Sequence, residues 1–171
     1  MQNQTIQSEA IEQTLQLMSE FTPQKIAEEQ KIFQAEQPNL IAFILAMIDD
    51  LEQVDKEIIL YVVHTVWQTF RRLTSAKLPT ISIPKLKKAL DTHQKLLKNL
   101  EEYPEEERHE LFMKELEKSQ PDLMFYVAEA LTEEDEEGYT LSETAIGTGF
   151  LALTILVAVL DAERRQLLQC P

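Results

Sequence analysis

The chain has 171 residues, 30 of them acidic and 16 basic, for a net charge of −14. That length suits one domain with a sizeable core, and that charge opposes non-specific adhesion to nucleic acid, whose phosphates must be met by Lys and Arg. Gly occurs only at positions 138, 147 and 149, too sparsely for a fold rich in tight hairpins. Abundant Leu, Glu, Gln, Lys and Ala favour helices instead.

An all-α fold of about eight helices in one compact bundle is predicted. The first helix runs from about Ser8 to Glu20, with Ile11, Leu15 and Met18 on one face. Thr22-Pro23 supplies an N-cap and a first-turn proline. These open a second helix that carries Ile26, Ile32 and Phe33 and stops before Pro38, because the residue preceding proline resists the α region. The third helix covers about Pro38 to Leu51, and its apolar run from Leu40 to Ile48 predicts burial on most sides. The fourth spans about Val54 to Leu73. Residues 74–83 read as a linker ending at Pro84. The fifth helix follows to about Glu102, with Leu86, Leu90, His93 and Leu97 at helical spacing, and Tyr103-Pro104 breaks it. The sixth reaches about Ser119 and the seventh runs from Pro121 to Leu131. Residues 132–139 form an acidic loop. Thr140 and Glu143 then make a capping-box pattern before the eighth and longest helix, which extends to about Leu168.

Gln37-Pro38-Asn39-Leu40 returns as Gln120-Pro121-Asp122-Leu123, and each half closes on paired arginines, Arg71-Arg72 and Arg164-Arg165. This self-similarity predicts an internal duplication. Two four-helix units, 1–73 and 84–171, would lie within a single domain spanning 1–171, joined by the linker. The first and fifth helices match poorly.

Motifs of catalysis are missing. There is no Gly-rich phosphate loop, no Gly-x-Ser-x-Gly elbow and no Cys-x-x-Cys pair. A di-metal carboxylate bundle needs two Glu-x-x-His pairs, whereas only Glu106 and His109 match. In an EF-hand register on Gly138, Thr144 falls where a bidentate Glu belongs. No catalytic residue, metal or cofactor is therefore expected. Cys170 has no intrachain partner, and Met1 to Ala10 lack the basic and apolar regions of a secretory signal. Both points predict a cytoplasmic setting. The charge-free stretch from Ala145 to Leu160 falls short of the roughly 20 residues that a membrane span requires, so a central core helix is expected, with no membrane association.

Two groups of residues stand out as candidate sites. His64, between Tyr61 and Trp67 on the fourth helix, is a candidate ligand contact or pH switch, although a core histidine bonded to a polar neighbour is the plainer reading. Gly147 and Gly149 leave space on the eighth helix for an apolar ligand. The acidic loop, with Glu133, Glu134, Asp135, Glu136 and Glu137, is a candidate docking site for a basic partner, since function concentrates on loops. Residues 71–100 hold eight basic and one acidic side chain, directly before fifteen acidic and three basic ones in 101–137. An antiparallel hairpin in which these charges neutralise each other is expected, rather than nucleic-acid binding. The leading functional expectation is a non-enzymatic regulator, adaptor or inhibitor acting through protein contacts with a basic partner, aided by electrostatic steering. A small-molecule module with an apolar pocket is the alternative, and an enzyme without a visible motif the third. A homodimer is expected from the frequency of closed two-fold assemblies.

Overall fold

Helix-forming stretches and their breakers set the order of elements along the chain. The computed structural model describes residues 4–170, apart from the side chain of Glu117. Met1 to Asn3, part of the segment searched for a signal, lie outside the described residues. Among those described there are eight helices: α1 (Ser8–Ser19), α2 (Pro23–Glu36), α3 (Pro38–Met47), α4 (Gln53–Leu73), α5 (Ile83–Leu100), α6 (Glu105–Glu117), α7 (Pro121–Thr132) and α8 (Glu143–Gln169).

Three helices begin on hydroxyl caps, which satisfy a backbone donor of the first turn. Thr22 accepts from Lys25 N–H, Ser82 from Lys85 N–H and Ser142 from Ala145 N–H. The third of these corrects the capping box expected at Thr140. The cap is Ser142, and Glu143 is already the first helical residue. Pro occupies the first turn of α2, α3, α5 and α7, where its missing N–H costs no helical bond.

α4 and α8 pack against each other at the centre, α1 lies on α4, and α5 lies on α8. α2 packs with α3 and α6 with α7 on the flanks. One apolar core runs through them all, including the fully buried Trp67, Phe70, Leu40 and Leu123. Full burial of such a side chain is worth about 1.5–3 kcal/mol. By length and composition α8 qualifies as a membrane-crossing helix, yet 61% of its most apolar window is enclosed within the protein.

Two expectations need correction. α3 is not buried on most sides: Leu40, Ile44 and Ile48 are enclosed, but Leu45 remains 44% exposed. The helix ends at Met47 and only one stripe of it meets the core, so the outer apolar residues are left to line a surface groove. The charges of α5 and α6 also find other partners. Lys85 pairs with Glu163 of α8, while Lys114 and Lys118 pair with Glu110 and Glu115 of their own helix. No ion pair joins α5 to α6 among the described residues.

The recurring Gln-Pro motif has a definite structural task. Gln37 is fully buried; it donates to Pro79 O (2.8 Å) and accepts from Ile81 N–H (2.9 Å). Gln120, equally buried, donates to Gln4 O (3.0 Å) and accepts from Ile6 N–H (2.7 Å). Asn39 adds a bond to Ile81 O (3.0 Å), and Asp122 accepts from Ser8 N–H (2.9 Å). Each motif thus clasps the extended segment leading into a helix of the opposite half, and Ile6 and Ile81 insert into the core.

Candidate functional site

The predicted ligand residues divide between two sides of the bundle. On the first side, α2 and α4 bring together Lys25, Glu29, His64, Gln68 and Arg71. Glu29 is 5% exposed and receives Arg71 Nη1 (2.6 Å), Gln68 Nε2 (2.8 Å) and Lys25 Nζ (2.8 Å). Burial pushes its carboxyl up, but the hydrogen bonds from Lys25 and Gln68 and the charge of Arg71 outweigh this and hold it below the usual value. The Gln68 amide also lies 3.1 Å from His64 Nε2. The half-buried His64 is pushed towards the neutral form, first by desolvation and then by the charge of Arg71, against the pull of Glu29.

Trp67 lies deeper. It is fully buried and stacked on Phe33, with ring centroids 4.7 Å apart and planes 9° from parallel. Its indole N–H has no acceptor among the described residues. Tyr61, 52% exposed, lines a cavity of about 290 Å³ with Met18, Phe21, Ile26 and Glu57. A second cavity of about 250 Å³ is bounded by Phe33, Ile41, Ile44, Leu45 and Val63. Gln30, Leu60 and His64 line both.

On the other side, α6, α7 and the start of α8 enclose a groove of about 410 Å³. Phe112 and Phe150 form its centre, with centroids 5.7 Å apart, and Met113, Leu131, Ile146 and Gly147 continue it. Gly147 opens onto this space, since a Cβ built there meets nothing within 4 Å. Gly149 does not: its Cβ would sit 3.0 Å from Ile59 Cδ1, so it permits close packing of α8 on α4.

Acidic residues lie one helical turn from residues that line this groove. Helical spacing sets Glu105 and Glu106 one turn before His109 on α6, and Glu143 one turn before Gly147 on α8. On α7, Glu129 is raised above its usual value because Glu133, one turn on, shares a hydrogen bond with it and repels its charge. The loop beyond is anchored. Asp135 Oδ1 accepts from Glu137 N–H (2.9 Å) and Tyr139 N–H (2.7 Å), and Gly138 takes φ +83°, where a Cβ would be strained. Tyr139 donates to the buried Asp55 (2.7 Å), as does Ser142 (3.1 Å). Asp135 therefore shapes the turn, while Glu133, Glu134, Glu136 and Glu137 remain exposed and free of ion pairs among the described residues.

Sequence reasoning missed Glu29, Asp55 and the Phe112–Phe150 groove. The groove left one signal, the apolar triplet Leu111-Phe112-Met113 inside an otherwise charged helix. Among the described residues no group of three or more His, Cys, Asp or Glu side chains is arranged to hold a metal. The chain matches no family model, and neither a curated protein nor a solved structure resembles it.

Proposed function

We propose that this protein is a non-enzymatic, cytoplasmic interaction module that binds a basic amphipathic helix of a partner protein. One observation carries the reading: an apolar groove of about 410 Å³ between α6, α7 and α8, opened by Gly147, with carboxylates one helical turn from residues that line it. Grooves of this kind take the apolar face of a helix through residues at i, i+3 or i+4 and i+7. Lys and Arg on the flanks of such a helix would meet Glu105, Glu106, Glu129, Glu133 and the exposed loop. A cation beside Glu129 and Glu133 relieves the repulsion that raises Glu129. The net charge of −14 adds steering that weakens with salt.

The reading extends to the architecture. A duplicated four-helix unit with crossed leading segments is supported by the matched Gln37 and Gln120 clasps. On this view the second copy diverged by acquiring the acidic loop and its groove.

The test is calorimetric titration with a synthetic amphipathic peptide of Leu and Lys in helical register. Binding is expected at low ionic strength and should fall steeply with added salt. Gly147→Leu should fill the groove and weaken binding at least tenfold while leaving the melting temperature unchanged or higher, because Gly is a poor helix former. Equal binding by the variant, or no binding at low salt, would remove the proposal.

A further inference from the structure

The two cavities beside His64 belong to a different part of the molecule from the α6–α8 groove, and their polar chemistry is specific. Glu29 fixes the orientation of Gln68. An ionised carboxylate only accepts hydrogen bonds, so the group 2.8 Å from it must be the amide nitrogen rather than the amide oxygen. The same nitrogen is 3.1 Å from His64 Nε2. His64 Nε2 must therefore accept, which puts the imidazole proton on Nδ1. Nδ1–H has no hydrogen-bond partner among the described residues, and the ring lines both cavities.

Size and position define an occupant. Each cavity, at about 250 and 290 Å³, falls below the usual range for a small-molecule site, about 300–1,000 Å³. Gln30, Leu60 and His64 are common to both, so one occupant can span the two. From this junction one arm extends between α2, α3 and α4 along Ile41 and Leu45, and the other towards α1 along Met18 and Phe21. His64 lies at the junction, with an apolar arm on each side.

The charges leave an anionic head no free cation to pair with. Glu57 lines the α1-side cavity, and the two cations of the cluster, Lys25 and Arg71, are both held by Glu29. The amides of Gln30 and Gln34 are neutral. What remains complementary is an uncharged oxygen acceptor with hydrocarbon on both sides. We propose that the paired cavities bind a medium-chain molecule bearing an internal carbonyl, such as a dialkyl ketone or ester, with His64 Nδ1–H donating to the carbonyl oxygen.

The probe is nonan-5-one, with nonane and nonanoate as comparators. Trp67, the sole tryptophan, stacks on Phe33 of the cavity wall and reports occupancy through its fluorescence. The ketone should give a saturable change and bind about tenfold more tightly than nonane, the worth of one net hydrogen bond. His64→Phe, checked by thermal melting for retention of the fold, should keep nonane binding and lose the preference for the ketone. Should that variant not fold, the imidazole Nδ1 chemical shift of the unaltered protein carries the test: it should move with the ketone and stay fixed with nonane. The proposal is overturned by the absence of saturable binding, by equal affinity for ketone and nonane, or by tighter binding of nonanoate. A dimer dissociated by Leu45→Glu would assign the groove to a second copy of the chain and overturn it equally.

Discussion

The clasps built on Gln37 and Gln120 differ in how much surrounds them. Gln37 holds a segment, 79–81, that lies between two helices, α4 and α5, and it needs little help beyond Asn39 and a bond from Thr80 to Glu36 O (2.9 Å). Gln120 holds residues 4–6, which adjoin a helix on one side only among the described residues. Here the support is denser. Gln120 also donates to Asp161 (2.8 Å), whose other oxygen accepts from Arg165 (2.7 Å). Arg165 reaches on to Gln4 Oε1 (2.7 Å), and Arg164 bonds Gln4 O (2.7 Å). For the segment between α4 and α5, the two bonds of Gln37, one from Asn39 and one from Thr80 suffice. Around residues 4–6 a charged network adds to the amide bonds.

The largest test of this difference is Gln120→Leu. It strands Ile6 N–H and one oxygen of the Asp161 carboxylate and leaves Gln4 O only its bond from Arg164; buried groups left unpaired cost about 1–3 kcal/mol each, more when charged, so a loss of about 3 kcal/mol is expected in urea unfolding. Gln37→Leu strands only Pro79 O and Ile81 N–H and should cost about 2 kcal/mol. The reverse ranking would mean that the ionic network adds nothing to the clasp. Next comes Asp122→Ala, which removes the acceptor for Ser8 N–H at the start of α1 and should cost about 1 kcal/mol, as loss of a helix cap does. Asn39→Ala, which acts on a segment tethered at both ends, should cost less.

The smallest effect separates the halves by pH. The carboxyl of Glu29 is held below its unfolded value of about 4.3, so its contribution to stability is complete above that value and is lost as pH falls through the lower folded one. Lys25 and Arg71 are partly exposed, and solvent screens their share. Stability followed from pH 7 to pH 3 should show a component that Glu29→Gln removes. An unchanged pH profile in that variant would show that the buried acid contributes nothing through its charge.

Much of the fold is legible in the residues themselves. Prolines at 23, 38, 84 and 121 mark helix starts because φ and the missing N–H allow nothing else there so easily. The breaks near Thr22, Tyr103 and the acidic loop follow from the same local chemistry. The clasps are a different matter. The Gln-Pro repeat is visible in sequence, but its partners lie 42 to 116 residues away, and no periodicity encodes that. Thr5-Ile6 and Thr80-Ile81 form a matching pair that the first and fifth helices themselves do not reveal, because the likeness lies in the extended residues before them. His64 stands out in the sequence, yet its tautomer depends on Glu29, an acid that looks like any surface carboxylate of α2. The apolar run from Leu40 to Ile48 predicts burial on most sides, but such a run does not reveal which of its sides meets a neighbour, and Leu45 lies on one that does not.

The crossed clasps also set an order of events on the ribosome. A nascent chain that has reached the end of α4 contains Gln37 but not the segment it grips, and it has residues 4–6 without Gln120, Arg164 or Arg165 to receive them. Domains emerging from the N-terminus usually fold as they appear, but this one closes its first clasp only when residue 81 has emerged and its second only when Gln120 has, with the supporting arginines of α8 later still. Bonds linking positions 160 and 161 residues apart make residue 4 wait for α8, so a segment made before α1 is secured only after the last of the described helices.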